Sequence, residues 1–119
     1  MSNFIQIEPV LPSLDIERDV AWHKRFTGFQ KAFGDKMYAG LKRDDLCIHL
    51  QWHADTDDDP LLGGSVIKIF VNDIEPLYDE FVQRATISKD KLQMNTPWGT
   101  HEFGFYDLNN NAIFIVQDI

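Results

Sequence analysis

Only one of the 119 residues, Cys47, is a cysteine. No intrachain disulfide can form, and a zinc site built on several thiolates is excluded. Basic residues are scarce as well: 11 Lys and Arg stand against 19 Asp and Glu, a formal charge of −8. Nucleic acid and anionic membrane are the wrong class of partner for such a balance, because both demand positive charge. A cationic ligand suits it, and so does solubility alone. No apolar run reaches the ~18 residues of a membrane helix. The first residues, MSNFIQIEPV, lack the basic start and long apolar stretch of a secretory signal. The expected location is a reducing cytoplasm.

What is present is ordinary globular composition, 44% hydrophobic and 25% charged. A chain of this size buries about two thirds of its extended surface, enough for one modest core. Residues 4–10, FIQIEPV, alternate as a half-buried strand does. Next, Ser13 or Asp15 is placed to cap a helix, and Glu17 sits near its positive end. Ile16, Val20 and His23 mark successive turns, with Ala21 and Trp22 widening the stripe. Gly28 stops the helix. Strands are expected over 29–33, 37–42 and 46–52. Residues 53–64, HADTDDDPLLGG, are acidic and rich in breakers and read as a linker. Their acids lack the spacing of a calcium loop.

The grammar then repeats. Residues 65–71 read as a strand, and 72–84 as a helix capped by Asn72 or Asp73, with Pro76 tolerated in its first turn. Residues 85–96 are expected to hold one short strand. Two more, 101–107 and 112–118, flank the turn LNNN. The prediction is an α+β fold: one domain over 1–119, made of modules 1–60 and 64–119, each strand, helix, three strands. A helix covers one face of each sheet, and the other face needs a different cover, from the partner module or a second subunit.

Alternation assigns the faces. Ile5, Ile7, Ile48, Leu50, Ile67, Ile69, Ile113 and Ile115 belong to helix-facing sets. Glu8, Cys47, His49, Lys68, Phe70 and Phe114 belong to the opposite, mixed sets. A concave wall of aromatic, imidazole, ammonium and carboxylate groups suits a small-molecule site.

The stretches EPVLPSLDIERDVAWH, DKMYAGLKRDDLCIHL, NDIEPLYDEF and PWGTHEFGFYDLNNNAIFIV together span nearly the whole chain. In order and spacing they resemble the vicinal oxygen chelate (glyoxalase/bleomycin resistance/dioxygenase) superfamily, and within it the bleomycin-resistance family. The resemblance implies a curved mixed sheet and an acidic homodimer with its first strand exchanged near Pro9. It implies two clefts between subunits that sequester a small-molecule ligand, a cationic glycopeptide of bleomycin type with a planar aromatic tail, without chemistry. Metal-ligand positions of the superfamily's enzymes fall on Glu8, His49, Val66 and Phe114. Valine and phenylalanine cannot coordinate, and two ligands make no robust site. The implied cleft is therefore metal-free, with no cofactor and no catalytic residue, and the chain is expected not to be an enzyme. Two other readings stay open: a metal-dependent lyase or dioxygenase, and a small-molecule-binding dimer of unrelated role.

Tyr38 and Trp98 match aromatic positions that grip the drug in that family. His49, Trp52, Lys68, Phe70, Glu102 and Phe114 complete the expected ligand-binding set. Each has a plainer alternative: core or interface packing for the aromatics, a hydrogen-bonded core imidazole for His49, a rim position for Glu102. Lys68 stands where a tryptophan is found in some members. The terminal turn is DLNNN rather than DPDGN, and Asn accepts left-handed backbone nearly as well as Gly. Cys47, two residues from His49, is expected to be buried and inert, because their side chains start about 7 Å apart in an extended strand.

Overall fold

Two aspartates open the two helices. Asp15 Oδ1 accepts the Arg18 amide at 3.1 Å, and Asp73 Oδ1 accepts that of Glu75 at 3.3 Å. The structure, a computed structural model, describes residues 3–119. Its elements are β1 (Val10–Ser13), α1 (Ile16–Phe26), β2 (Gln30–Gly34), β3 (Tyr38–Arg43), β4 (Leu46–Trp52), β5 (Val66–Phe70), α2 (Ile74–Gln83), β6 (Thr100–Tyr106) and β7 (Ala112–Asp118), with a short 3₁₀ turn at Lys89–Lys91. One sheet has the order β1-β4-β3-β2 and the other β5-β7-β6. In each, the first strand runs parallel to the last. This is the predicted α+β fold of βαβββ-like modules. The short strand expected in 85–96 is reduced to a single bridge, Gln93 to Glu102, at the outer edge of β6.

Helix-facing side chains make one core. Leu11, Ile16, Phe29, Leu41, Ile48 and Leu50 pack in the first module, and Ile74, Phe81, Ile87, Phe103 and Ile115 in the second. Ile69 packs against both clusters and joins them. Gly28, at φ 77°, ends α1 in the left-handed region that a side chain disfavours.

Two polar clamps lock the modules together. On one side Asn109, in the DLNNN turn, donates to Asp19 Oδ2 at 2.7 Å and accepts from the Leu14 amide at 3.0 Å. Asp19 is buried, takes the Ser13 hydroxyl, and pairs with Arg18 at 2.9 Å. Asn110 takes the left-handed geometry, φ 62°. On the other side Arg43 grips Glu80 through both guanidinium nitrogens, at 2.7 and 2.6 Å, and Arg84 adds a third contact at 2.7 Å. Arg84 also donates to the Arg25 carbonyl at 3.0 Å, and Arg43 to that of Thr27 at 2.8 Å. These cations therefore meet the negative end of α1.

The first strand departs from expectation. Its ladder begins at Val10, not at Phe4. Residues 3–9 lie outside both sheets, and Phe4, Ile5 and Ile7 are all more than 90% exposed. Alternation encodes a half-buried strand, but a strand is buried only where a neighbouring edge accepts it. Among the described residues no helix is long and apolar enough to cross a membrane.

Candidate functional site

The face of each sheet opposite its helix follows from strand parity, and cross-strand register lays its side chains in rows. In the first module one row runs Val10, His49, Gly40, Phe33, and the next runs Pro12, Gln51, Tyr38. In the second, Lys68, Phe114 and Gly104 form one row, Phe70, Val116 and Glu102 another. The two modules correspond: Val10 pairs with His49 as Lys68 pairs with Phe114. Counting two residues back in sequence from Val10 and from Lys68, Glu8 corresponds to Val66.

One row in each module carries a glycine where an aromatic ring lies close over the sheet. A Cβ on Gly40 would sit 2.1 Å from the Phe33 ring, and one on Gly104 would sit 2.6 Å from the Phe114 ring. Both glycines are strand residues kept side-chain-free by that close approach.

The predicted residues fall into two groups and one outlier. Tyr38 and His49 meet in the first module, with Tyr38 Oη 2.6 Å from His49 Nδ1 and the rings edge to face at 5.4 Å. Phe33, which the sequence reading did not single out, stands edge-on to His49, also at 5.4 Å. A glycine inside a strand opposite a histidine was the available signal. In the second module Lys68, Phe70, Phe114 and Glu102 share the open face. Trp98, 60% exposed, donates its indole N–H to the buried Glu102 carboxylate at 3.0 Å. Trp52 is the outlier. It has the parity of Ile48 and Leu50, packs against the first core cluster, and gives its N–H to the Leu14 carbonyl at 3.0 Å.

A groove of about 430 Å³ runs between residues 6–9, the start of β4, and β5, with Glu8, Cys47, Lys68 and Phe70 in its lining. A smaller one, about 200 Å³, lies over Gln93, Glu102, Gly104 and Phe114. Neither takes in Tyr38, His49 or Trp98. Apolar rings beside a few placed polar groups make a surface able to bind small aromatic ligands.

The same face corrects two expectations. Cys47 is half-buried rather than buried. One ligand atom each of Glu8, Cys47 and His49 lies within 4.8 Å of the others. The Cβ atoms of residues two apart on a strand are well separated, but their side chains lean together here and Glu8 comes in from residues 3–9. The first module therefore offers three metal-ligand types, not two. In the second module Val66 and Phe114 offer none. Burial, and then the Glu8 carboxylate, hold the Cys47 thiol above its ordinary range, while Lys42 pulls the other way.

No family model matches the sequence. Along its length the chain is similar to the bleomycin resistance protein of Geobacillus stearothermophilus, 23% identical over 129 residues that cover 97% of this chain and 98% of that one. Among solved structures it is similar to the bleomycin-binding protein from bleomycin-producing Streptomyces verticillus complexed with copper(II)-bleomycin. That match has a TM-score of 0.73 and 25% identity, and covers 97% of each chain. It also matches a glyoxalase-related enzyme from Clostridium phytofermentans, with a TM-score of 0.74 and 14% identity over 99% of this chain and 98% of that one. The expectation of a non-enzyme rested on there being too few metal ligands. Glu8, Cys47 and His49 together remove that ground, and the fold is shared with an enzyme. In module order, strand pairing and full-length similarity, the chain has the fold of the glyoxalase/bleomycin-resistance (vicinal oxygen chelate) proteins and is similar along its length to bleomycin-resistance proteins.

Proposed function

We propose that the chain binds a cationic ligand with a planar aromatic part, of the bleomycin type, in a cleft completed by a second copy of itself. The observation that carries this is the exposure of aromatic rings on the helix-free faces: Phe33 47%, Phe70 58% and Trp98 60%. Rings left open on a chain of charge −8 favour a flat cation twice over, by stacking and by long-range attraction. Tyr38, His49, Phe70, Trp98 and Phe114 are the proposed stacking wall. Glu102 anchors Trp98 and adds negative charge. Lys68 is the one opposing charge in the set, and turns outward or pairs with the ligand's acceptors.

The homodimer belongs to the same proposal. Phe4, Ile5 and Ile7 are too apolar to stay exposed, and the edge of β4 before His49 has no β1 partner. Exchange of residues 3–9 between two copies covers both.

Titration with metal-free bleomycin, followed by tryptophan fluorescence, tests the reading. The expected result is a saturable change at micromolar drug. Trp98→Ala is expected to weaken binding about fivefold, the worth of one stacked ring at ~1 kcal/mol. A flat titration overturns the proposal. A second reading, a metal-dependent lyase or oxygenase, is favoured by the Glu8, Cys47 and His49 cluster alone.

A further inference from the structure

We infer that Glu102 selects, among flat aromatic ligands, those whose ring carries an N–H-bearing cation, a protonated amine or a guanidinium. This rests on the aromatic-ligand reading and narrows its cation to one chemical class. Glu102 is 7% exposed, although strand parity puts it on the helix-free face of β6 with Gly104 and Tyr106. Gln93 pairs with it on one flank and Val116 on the other. The Trp98 indole N–H donates to its Oε1 at 3.0 Å. No Lys, Arg or His forms an ion pair with it among the described residues. Burying a carboxylate away from any counter-ion is unfavourable unless a cation arrives to match it. A neutral amide would accept the Trp98 N–H as well, so that hydrogen bond does not account for the charge.

The surroundings place a ligand against this carboxylate. The groove of about 200 Å³ has Glu102 in its lining beside Gln93, Gly104 and Phe114. Phe114 lies over Gly104, one row along from the row of Glu102 and Val116. Successive rows on one face of a strand are about 7 Å apart. A flat ring on Phe114 therefore brings a substituent one or two bonds long to Glu102. The other charges on the face point the same way. Lys68 stands two strands away across β7, about 10 Å, and repels a cation on the β5 side. Lys91 lines the same groove from an exposed position and makes no ion pair among the described residues. Asp118, the other acid of this parity, is exposed, and water weakens its pull.

The choice of cation follows from the free acceptor. With Oε1 engaged by Trp98, Oε2 is left to accept from the ligand. A charge-assisted hydrogen bond needs a hydrogen on the cation's nitrogen, and a quaternary ammonium has none. None of these residues belongs to segment 3–9, so the exchange proposed for that segment leaves the contact as it is.

Three probes on one ring test this in the full chain: naphthylmethylammonium, its N,N,N-trimethyl derivative, and neutral naphthylmethanol. Binding is read from the shift of the Trp98 indole N–H resonance. The primary ammonium is expected to bind about 10–100-fold more tightly than either of the others. In Glu102→Gln that gap is expected to close, while the Trp98 N–H resonance keeps its hydrogen-bonded position. A role confined to holding Trp98 predicts the opposite, a gap unchanged by Glu102→Gln. Circular dichroism checks the fold of the variant. If it does not fold, the comparison of primary with trimethyl ammonium in the unaltered chain decides alone. Equal binding of those two, or an undiminished gap in Glu102→Gln, overturns the inference. Saturable bleomycin binding beside three probes of equal affinity leaves the aromatic-ligand reading standing and removes this one. A flat bleomycin titration with no probe bound removes both.

Discussion

His23 is buried with one ring nitrogen unsatisfied. It is 1% exposed, its Nδ1 lies 3.1 Å from Thr27 Oγ1, and its Nε2 has no partner among the described residues. Burial lowers its pKa to about 4, against a smaller opposing pull from Asp107 and Asp19. An unfolded histidine takes its proton near pH 6.5. Between there and about pH 4 the unfolded chain therefore holds more protons than the folded one, and stability falls as pH falls through that window. Above it His23 contributes no slope. The full loss amounts to about 3 kcal/mol. Urea denaturation at pH 7 and pH 4.5 checks this, with His23→Leu expected to remove most of the difference between the two.

Among the elements, the α1–α2 contact is held by one carboxylate between two guanidinium groups. Hydrogen bonding from Arg43 is the main reason Glu80 titrates below the usual range, with Arg84 adding to it. The stability it gives is present above the unfolded pKa of about 4.3 and is lost as pH falls through the lower folded value. Glu80 and its partners are a quarter to a third exposed, so solvent takes part of the strength. Glu80→Gln is expected to cost about 1–2 kcal/mol at neutral pH. The gap from the unaltered chain should shrink below pH 4, as denaturation at both pH values will show.

These clamps were not legible in the sequence, and the reason is physical. Helix caps at Asp15 and Asp73, the Gly28 stop and the facing of Ile48, Leu50, Ile113 and Ile115 depend on neighbours in the chain, and all were read correctly. So was the left-handed turn near Asn110. Asp19 meets Asn109, and Arg43 meets Glu80, only after the modules dock, so no local pattern announces them. Trp52, expected among the ligand contacts, shares the core-facing parity of Ile48 and Leu50, and its place at a strand end hid that parity. Cys47 was set aside on backbone spacing alone, which says nothing about where side chains lean.

For the molecule as a whole, the segment with the most exposed large apolar side chains among the described residues is 3–9. If a second copy covers it, the assembly depends on Ile5 and Ile7. The double variant Ile5→Asp, Ile7→Asp is expected to sediment as a monomer at concentrations where the unaltered chain is a dimer. Its thermal midpoint should no longer rise with protein concentration, as mass action requires of a dimer.

The correspondence of the two modules has a last consequence. Where one presents Glu8 and His49, the other presents Val66 and Phe114, so a near-symmetric scaffold carries an unsymmetric lining. A guest lying across both kinds of wall meets electron-pair donors under one end and hydrocarbon under the other. It has a head and a tail in the complex, and turning it end for end would strand its polar end on grease.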